Sequence, residues 1–175
     1  WTIGGSTLSG QTNNTLPNSE VLRGDVVTCI ITPNDGEENG IPAISNSITI
    51  INTAPAYSGA ELTPNPAYEA DTLNCSGLNP SDDDGDSVTP TYAWYVGSAS
   101  IGISTSTLTG AYFNKGDAVY CTVTPSDGLT SGATVTSNAI NILNTAPVLG
   151  IVDLTPLTSY ESSTLVCTPQ SGTYS

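Results

Sequence analysis

The chain has 175 residues, a formal net charge of −14, and one Arg and one Lys as its only basic side chains apart from the amino terminus. So few cations exclude a sequence-independent grip on nucleic-acid phosphates, and the acidity disfavours anionic membrane surfaces. The longest apolar run is also far too short to span a bilayer as a helix. We therefore expect neither nucleic-acid binding nor a membrane span.

The composition predicts an all-β chain with almost no helix. Charged residues make up 10% of the chain and aromatic residues 6%, while Gly and Pro number 17 and 12. Apolar residues do not recur at helical spacing, whereas short alternating runs stand between turn-forming residues. In chain order, the clearest runs are VVTCIIT from residue 26, YAWYV from residue 92 and AVYCTVT from residue 118.

The four cysteines, Cys29, Cys75, Cys121 and Cys167, follow one another at a constant spacing of 46 residues. Such regularity indicates an internal repeat. A shift of 92 residues aligns RGDVVTC with KGDAVYC, INTAP with LNTAP, and TLNC with TLVC. The repeat is therefore about 92 residues long, and the equal spacing alone leaves the pairing of the cysteines open.

Trp94 lies in the alternating run between Cys75 and Cys121, whereas the linker-like sequence NTAP lies between Cys29 and Cys75. The order Cys, Trp, Cys within about 90 residues of short strands resembles the immunoglobulin-like (Ig-like) β-sandwich. The chain is similar in particular to the tandem Ig-like or cadherin-like repeats of large secreted or cell-surface microbial proteins. It departs from antibody-type domains because Val119, and not Tyr, stands two residues before Cys121.

The resemblance implies that Cys75 pairs with Cys121 in the same domain, and that Cys29 and Cys167 pair with a neighbouring repeat or chain. It also implies that Trp94 and its equivalent Trp1 are core residues. The alternative is that the cysteines are buried free thiols. Closing a loop of about 46 residues stabilises a small domain by about 4 kcal/mol, and such bonds persist in oxidising compartments. We therefore expect an extracellular or cell-surface location.

Three segments follow from the alignment. Residues 1–52 correspond to the C-terminal half of an Ig-like repeat (strands C to G), residues 53–146 to a complete repeat, and residues 147–175 to the N-terminal half (strands A and B) of the next. Each half leaves strand edges unpaired and an apolar face exposed. We expect a longer continuous array, or strands of a neighbouring copy, to cover these faces. Both arrangements give head-to-tail contacts that propagate as a linear assembly.

The most distinctive local sequence is NPSDDDGDS at residues 79–87. Carboxylates at alternate positions beside a turn Gly are oxygen ligands of the kind that calcium prefers. The spacing is not that of an EF-hand, and a solvated acidic turn is the alternative, so calcium is permitted and no cofactor is required. The candidate metal ligands are Asp82, Asp84 and Asp86.

Other local sequences suggest turns and sugar attachment. Asp35 and Asp127, in PNDG and PSDG, are predicted to be turn residues. Asn13, in NNT, is the better candidate for N-glycosylation, and Asn74, in NCS beside a framework Cys, is the weaker one.

Arg23-Gly24-Asp25 is a tripeptide that integrin-class receptors can bind. The next repeat has Lys115-Gly116-Asp117 at the same position. We therefore interpret both as turns that enter a cysteine-bearing strand.

The residue inventory argues against catalysis and for a structural role. The chain has no His, and its cysteines belong to the framework, so neither a Ser/His nor a Cys/His nucleophile can be assembled and no catalytic residue is assigned. We expect a filament, fibril or stalk of head-to-tail Ig-like domains. One alternative is an adhesin-type module that binds a surface glycan or protein, for which Tyr95 and Tyr112 are the candidate residues. Another is an accessory segment of a large secreted enzyme.

Overall fold

The computed structural model describes residues 1–170, which are all-β apart from two single 3-10 turns, Asn18–Glu20 and Gly110–Tyr112. The prediction of an all-β chain with almost no helix is confirmed. Residues 171–175, the end of the predicted segment 147–175, lie outside the described residues. Within residues 1–170, no helix is long and apolar enough to cross a membrane.

The chain divides into two compact units. Unit 1 consists of residues 1–56 together with two loops, 81–89 and 126–132, and unit 2 contains the segments 57–80 and 90–125 and the chain from residue 133 onward. The repeat boundaries at residues 52 and 146 rest on the sequence alignment and stay a prediction.

Unit 1 contains short antiparallel strands. A four-stranded sheet has the order β2-β1-β3-β6, and β4 pairs with β5. Its strands are β1 Thr2–Ile3, β2 Ser6–Thr7, β3 Val26–Thr28, β4 Ile30–Ile31, β5 Ala43–Ile44 and β6 Ile48–Thr49.

Unit 2 contains the longer strands. They are β7 Gly59–Thr63, β8 Ala67–Tyr68, β9 Thr72–Leu78, β10 Thr89–Val96, β11 Ala99–Ser100, β12 Thr107–Thr109, β13 Ala118–Ser126, β14 Val135–Thr136, β15 Ile140–Leu143, β16 Val152–Thr155 and β17 Val166–Pro169. One sheet has the order β11-β10-β13-β15-β8, with β14 on β13, and a second has the order β12-β9-β7. Strand β8 joins β15 in parallel, and β16 and β17 form a separate antiparallel hairpin.

A disulfide connects the two larger sheets of unit 2. Cys75 of β9 is bonded to Cys121 of β13, with Cα atoms 6.3 Å apart. Trp94 of β10 is fully buried in the same core, and its indole N–H donates to the carbonyl oxygen of Thr105 at 2.7 Å. Sheets facing each other across a shared apolar core form a sandwich-like architecture.

The alternation of β13 explains how this core is filled. Val119, Cys121 and Val123 are fully buried, whereas the residues between them are partly exposed. Successive side chains of a strand point to opposite faces, so every second residue enters the core. The buried cluster also contains residues outside β13, among them Leu62, Ala67, Leu108 and Phe113.

The pairing register repeats at the 92-residue spacing. In the first set of strands, the pair Val27 with Ile48 has its counterpart in the pair Val119 with Ile140. In the second set, the pair Leu62 with Cys75 of β7 and β9 has its counterpart in the pair Leu154 with Cys167 of β16 and β17. The sequence repeat is thus also a repeat of strand pairing.

Candidate functional site

A polar cluster in unit 1 gathers side chains from four parts of the sequence. We call it the linker junction, because its centre is the NTAP sequence that begins at Asn52. Its members are Arg23, Asn52, Thr53, Asp84, Asp86, Asp127 and Thr130.

A tight turn places Arg23 in the junction. Gly24 has a φ of 90°, a conformation that favours glycine, and the carboxylate of Asp25 accepts a hydrogen bond from the backbone N–H of Leu22 at 2.7 Å. The second repeat builds the same turn, with Gly116 at a φ of 87° and Asp117 bonded to the backbone N–H of Asn114. The turn thus accounts for the glycine and the aspartate of both tripeptides.

The guanidinium of Arg23 has two partners. It donates to the side-chain oxygen of Asn52 at 2.8 Å and to the carboxylate of Asp86 at 2.7 Å. The side chains of Arg23 and Asp86 are 42% and 37% exposed, so this ion pair contributes at most about 1 kcal/mol and weakens in salt. Both charged residues of the RGD tripeptide therefore have partners within the chain.

Asn52 is the central donor of the junction. Its side-chain N–H₂ lies 2.7 Å from the carboxylate of Asp127, 2.7 Å from the hydroxyl of Thr130 and 2.8 Å from the carbonyl oxygen of Thr53. The same amide thus accepts from Arg23 through its oxygen and donates to the 126–132 loop through its nitrogen. It holds the linker and that loop together by side-chain hydrogen bonds.

Thr53 connects the linker to the acidic 82–86 loop. Its backbone N–H donates to the Asp84 carboxylate at 2.6 Å, and its hydroxyl lies 3.4 Å from the other oxygen of that carboxylate. Hydrogen bonds to an ionised acceptor are shorter and stronger than neutral ones. The linker therefore satisfies Asp84 through both a backbone and a side-chain donor.

Asp127 and Asp35 occupy equivalent turns, which confirms the prediction for both residues. The Asp127 carboxylate accepts from the backbone N–H groups of Leu129 and Thr130, each at 2.7 Å. The pKa of Asp127 lies well below its usual value, first because of the hydrogen bond from Asn52 and then because of the turn. The pKa of Asp35 is lowered by the backbone N–H groups of residues 38 and 37.

The three aspartates proposed as calcium ligands have separate partners. Asp84 and Asp86 are bonded to Thr53 and Arg23, whereas one oxygen of Asp82 accepts from the backbone N–H groups of Asp84 and Asp86 at 2.8 and 3.4 Å. The other oxygen of Asp82 is buried and has no hydrogen-bond partner among the described residues. Across residues 1–170, no three acidic, His or Cys side chains are grouped to hold a metal ion. Calcium would compete with Thr53 for Asp84 and with Arg23 for Asp86, and its binding stays a prediction.

The two cysteines outside the disulfide lie at exposed apolar surfaces. Cys29 is a partly buried free thiol in unit 1 and lines an open groove together with Trp1, Leu8 and Ile31. Trp1 is only partly buried, although its indole N–H donates to the carbonyl oxygen of Asn13 as that of Trp94 does to Thr105. We call this surface the head groove.

The second exposed surface is the β16–β17 hairpin, which we call the tail hairpin. Cys167 on this hairpin is an exposed free thiol, and Leu154 and Leu165 are 55% and 52% exposed. The described part of the chain thus presents one free cysteine in the head groove and one on the tail hairpin.

The remaining candidate residues are placed as follows. Asn13 and Asn74 are both exposed, the first in a loop and the second within β9. The ring of Tyr95 is stacked on Tyr120, with centroids 4.7 Å apart, and Tyr112 is 48% exposed. Glycosylation and ligand binding at these positions stay predictions.

Comparison of the chain with protein-family models, with curated proteins and with solved structures finds no match.

Sequence reasoning grouped Asp82, Asp84 and Asp86 by their spacing and missed the donors that engage them. Arg23 lies 63 positions from Asp86, and Thr53 lies 31 positions from Asp84. The available signal was the repetition of the basic residue and the linker Asn, 29 positions apart in both repeats.

Proposed function

We propose that the chain is a structural segment of an extracellular filament, fibril or stalk built from Ig-like repeats that follow one another head to tail. The repeats are either parts of one continuous polypeptide or are completed by strands from a neighbouring subunit. The proposed role is to span distance and resist extension, and it requires neither catalysis nor a cofactor.

The observation that carries the proposal is a difference in burial between equivalent positions of the repeat. Apolar residues at these positions are buried in the middle of the chain and exposed toward its ends. Val123 and Ile140 are buried in unit 2, whereas their equivalents 92 positions earlier, Ile31 and Ile48, are 67% and 62% exposed. Burying a side chain of this size contributes about 1.5–3 kcal/mol. A complementary sheet that covers these exposed side chains of unit 1 would therefore stabilise the unit substantially.

The tail hairpin has the features of that complementary sheet. Its residues Leu154 and Leu165 are equivalent to Leu62 and Leu73, which are 1% and 0% exposed. Its register, which pairs Leu154 with Cys167, equals that of β7 and β9. A tail hairpin placed on the head groove of another copy would repeat the packing found inside unit 2.

The two free cysteines could form a disulfide across this contact. Cys29 and Cys167 are equivalent to Cys121 and Cys75, which form the disulfide of unit 2. Head-to-tail contact between different surfaces has no closing symmetry, so it propagates as a thread. The disulfide of unit 2 also supports the proposed location in an oxidising compartment.

Electron microscopy of the native material tests the proposal. We expect extended threads with beads spaced about 30–40 Å apart, the length of strands of about 9 to 11 residues. Isolated compact particles in native material would contradict it. Non-reducing mass measurement then separates the two forms, because subunits joined through Cys29 and Cys167 give multiples of one chain mass, whereas a continuous array gives a single long polypeptide.

A further inference from the structure

We propose that a second polar surface, formed by Lys115, Asn144 and Thr145, binds the acidic turns of a following copy of the repeat. The bound turns are those equivalent to residues 82–86 and 127–130. This inference rests on the proposed function, because it requires repeats in tandem. We call the surface the second linker cluster.

The second linker cluster repeats the contacts that the basic side chain and the Asn side chain make in the linker junction. The ammonium of Lys115 donates to the side-chain oxygen of Asn144 at 3.2 Å, as Arg23 does to Asn52 at 2.8 Å. The side-chain N–H₂ of Asn144 then donates to the carbonyl oxygen of Thr145 at 3.0 Å, as Asn52 does to Thr53. The 92-residue shift thus reproduces both contacts.

The second linker cluster differs from the linker junction in its hydrogen-bond acceptors. The hydroxyl of Thr145 is buried and has no hydrogen-bond partner among the described residues, whereas that of Thr53 lies 3.4 Å from Asp84. A buried polar group without a partner destabilises the folded state, so the site favours a ligand that supplies an acceptor. Within residues 1–170, the one ion pair involves Arg23; the ammonium of Lys115 has no carboxylate partner, and the backbone N–H of Lys115 donates to the Glu69 carboxylate at 3.2 Å.

The linker junction shows which chemistry completes such a cluster. There, one carboxylate accepts from the backbone N–H of Thr53, a second pairs with the basic side chain, and a third accepts from the amide of Asn52. These carboxylates come from two turns of one repeat, in DDDGD and PSDG. In a chain with a net charge of −14, Lys115 is also the one basic side chain besides Arg23 that can receive an acidic turn.

An extended chain tests this directly. Residues 147–173 align with residues 55–81, so a copy of residues 82–146 that replaces Tyr174 and Ser175 completes a second full repeat with its own acidic turns. Amide hydrogen exchange is then measured for Thr145 in the original and the extended chain. We expect exchange at Thr145 to slow at least tenfold on extension, because its N–H gains a carboxylate acceptor. Thr53 serves as the internal reference and stays protected in both chains.

A matched variant identifies the acceptor. Replacing the appended copy of Asp84 with Ala returns Thr145 to fast exchange if the inference holds, while the same change in the appended copy of Asp83, which is not bonded to the linker, leaves it slow. Fast exchange at Thr145 in an extended chain whose appended strands are protected and disulfide-bonded overturns this inference alone. An appended repeat that fails to fold overturns both the inference and the tandem-repeat proposal.

Discussion

The side-chain amide of Asn52 donates to the carboxylate of Asp127 at 2.7 Å, across 75 positions of sequence. This bond joins the linker to the turn that follows β13. Because the hydrogen bond from Asn52 is also the main cause of the low pKa of Asp127, the same contact can be followed by titration.

Replacing Asn52 with Ala is expected to raise the pKa of Asp127 toward its ordinary value. The substitution removes the strongest donor to the carboxylate and leaves the backbone donors of the turn in place. NMR titration of the side-chain carboxyl carbons measures the change. Asp35 is the control in the same molecule, because backbone N–H groups lower its pKa and Asn52 does not contact it. An unchanged pKa of Asp127 would show that Asn52 does not hold it.

The low pKa of Asp127 also predicts how stability depends on pH. A carboxylate with a depressed pKa in the folded state stabilises that state above its unfolded pKa of about 4, and the contribution is lost as the pH falls further. We expect the wild-type chain to lose stability more steeply between pH 4 and pH 2 than the Asp127→Asn variant. Urea denaturation at several pH values measures both slopes, and equal slopes would contradict the prediction.

Removing the disulfide of unit 2 is expected to cost about 4 kcal/mol of unfolding free energy for its loop of 46 residues. The variant is Cys75→Ala with Cys121→Ala, and denaturant unfolding provides the measurement. The matched control is Cys29→Ser with Cys167→Ser, since these two thiols are free. A similar loss of monomer stability in the control would mean that the effect is not specific to the bond.

Charge on the tail hairpin is expected to block self-association. Leu165→Asp puts a carboxylate where its equivalent, Leu73, is fully buried. Thr155→Asp is the matched control on the same hairpin, because its equivalent, Thr63, is exposed in the complete repeat. Sedimentation should show assembly by the wild-type chain and the control, and a monomer for Leu165→Asp. Assembly by all three would place the contact elsewhere.

Gly116→Ala is expected to destabilise unit 2 by about 1–2 kcal/mol, because its φ of 87° is strained for any residue with a Cβ. Nothing lies within 4 Å of the added methyl group, so the cost is one of backbone conformation and not of crowding. Gly59→Ala is the control, since its φ is not positive and its nearest neighbour is 3.9 Å away. Thermal unfolding of both variants provides the measurement, and equal shifts would contradict the argument.

The sequence was most informative where structure follows local alternation. The strands around Trp94 and Cys121 could be predicted because each has apolar residues at every second position. The burial of Ala67 could not, because it lies in the two-residue strand β8, which pairs in parallel with β15. A strand of two residues is too short to show an alternation of apolar and polar residues.

The linker junction was missed for a different reason. Its acidic residues are close in sequence, which suggested a shared cation, but the structure gives each carboxylate its own donor. The donors to Asp84 and Asp86 lie 31 and 63 positions away, and a single sequence shows no such pairing directly. The recurrence of Asn52 as Asn144 was the one local sign of a contact.

The bond between Cys75 and Cys121 also limits how far the protein lengthens under load. The two cysteines lie 46 positions apart, and the segment between them stays behind the bridge when unit 2 unfolds, so only about half of a 92-residue repeat can be drawn out. At about 3.5 Å per extended residue, each oxidised repeat releases about 160 Å of contour length, against about 320 Å when reduced. In the proposed thread, redox state would thus set the maximum extension separately from the force at which the repeats unfold.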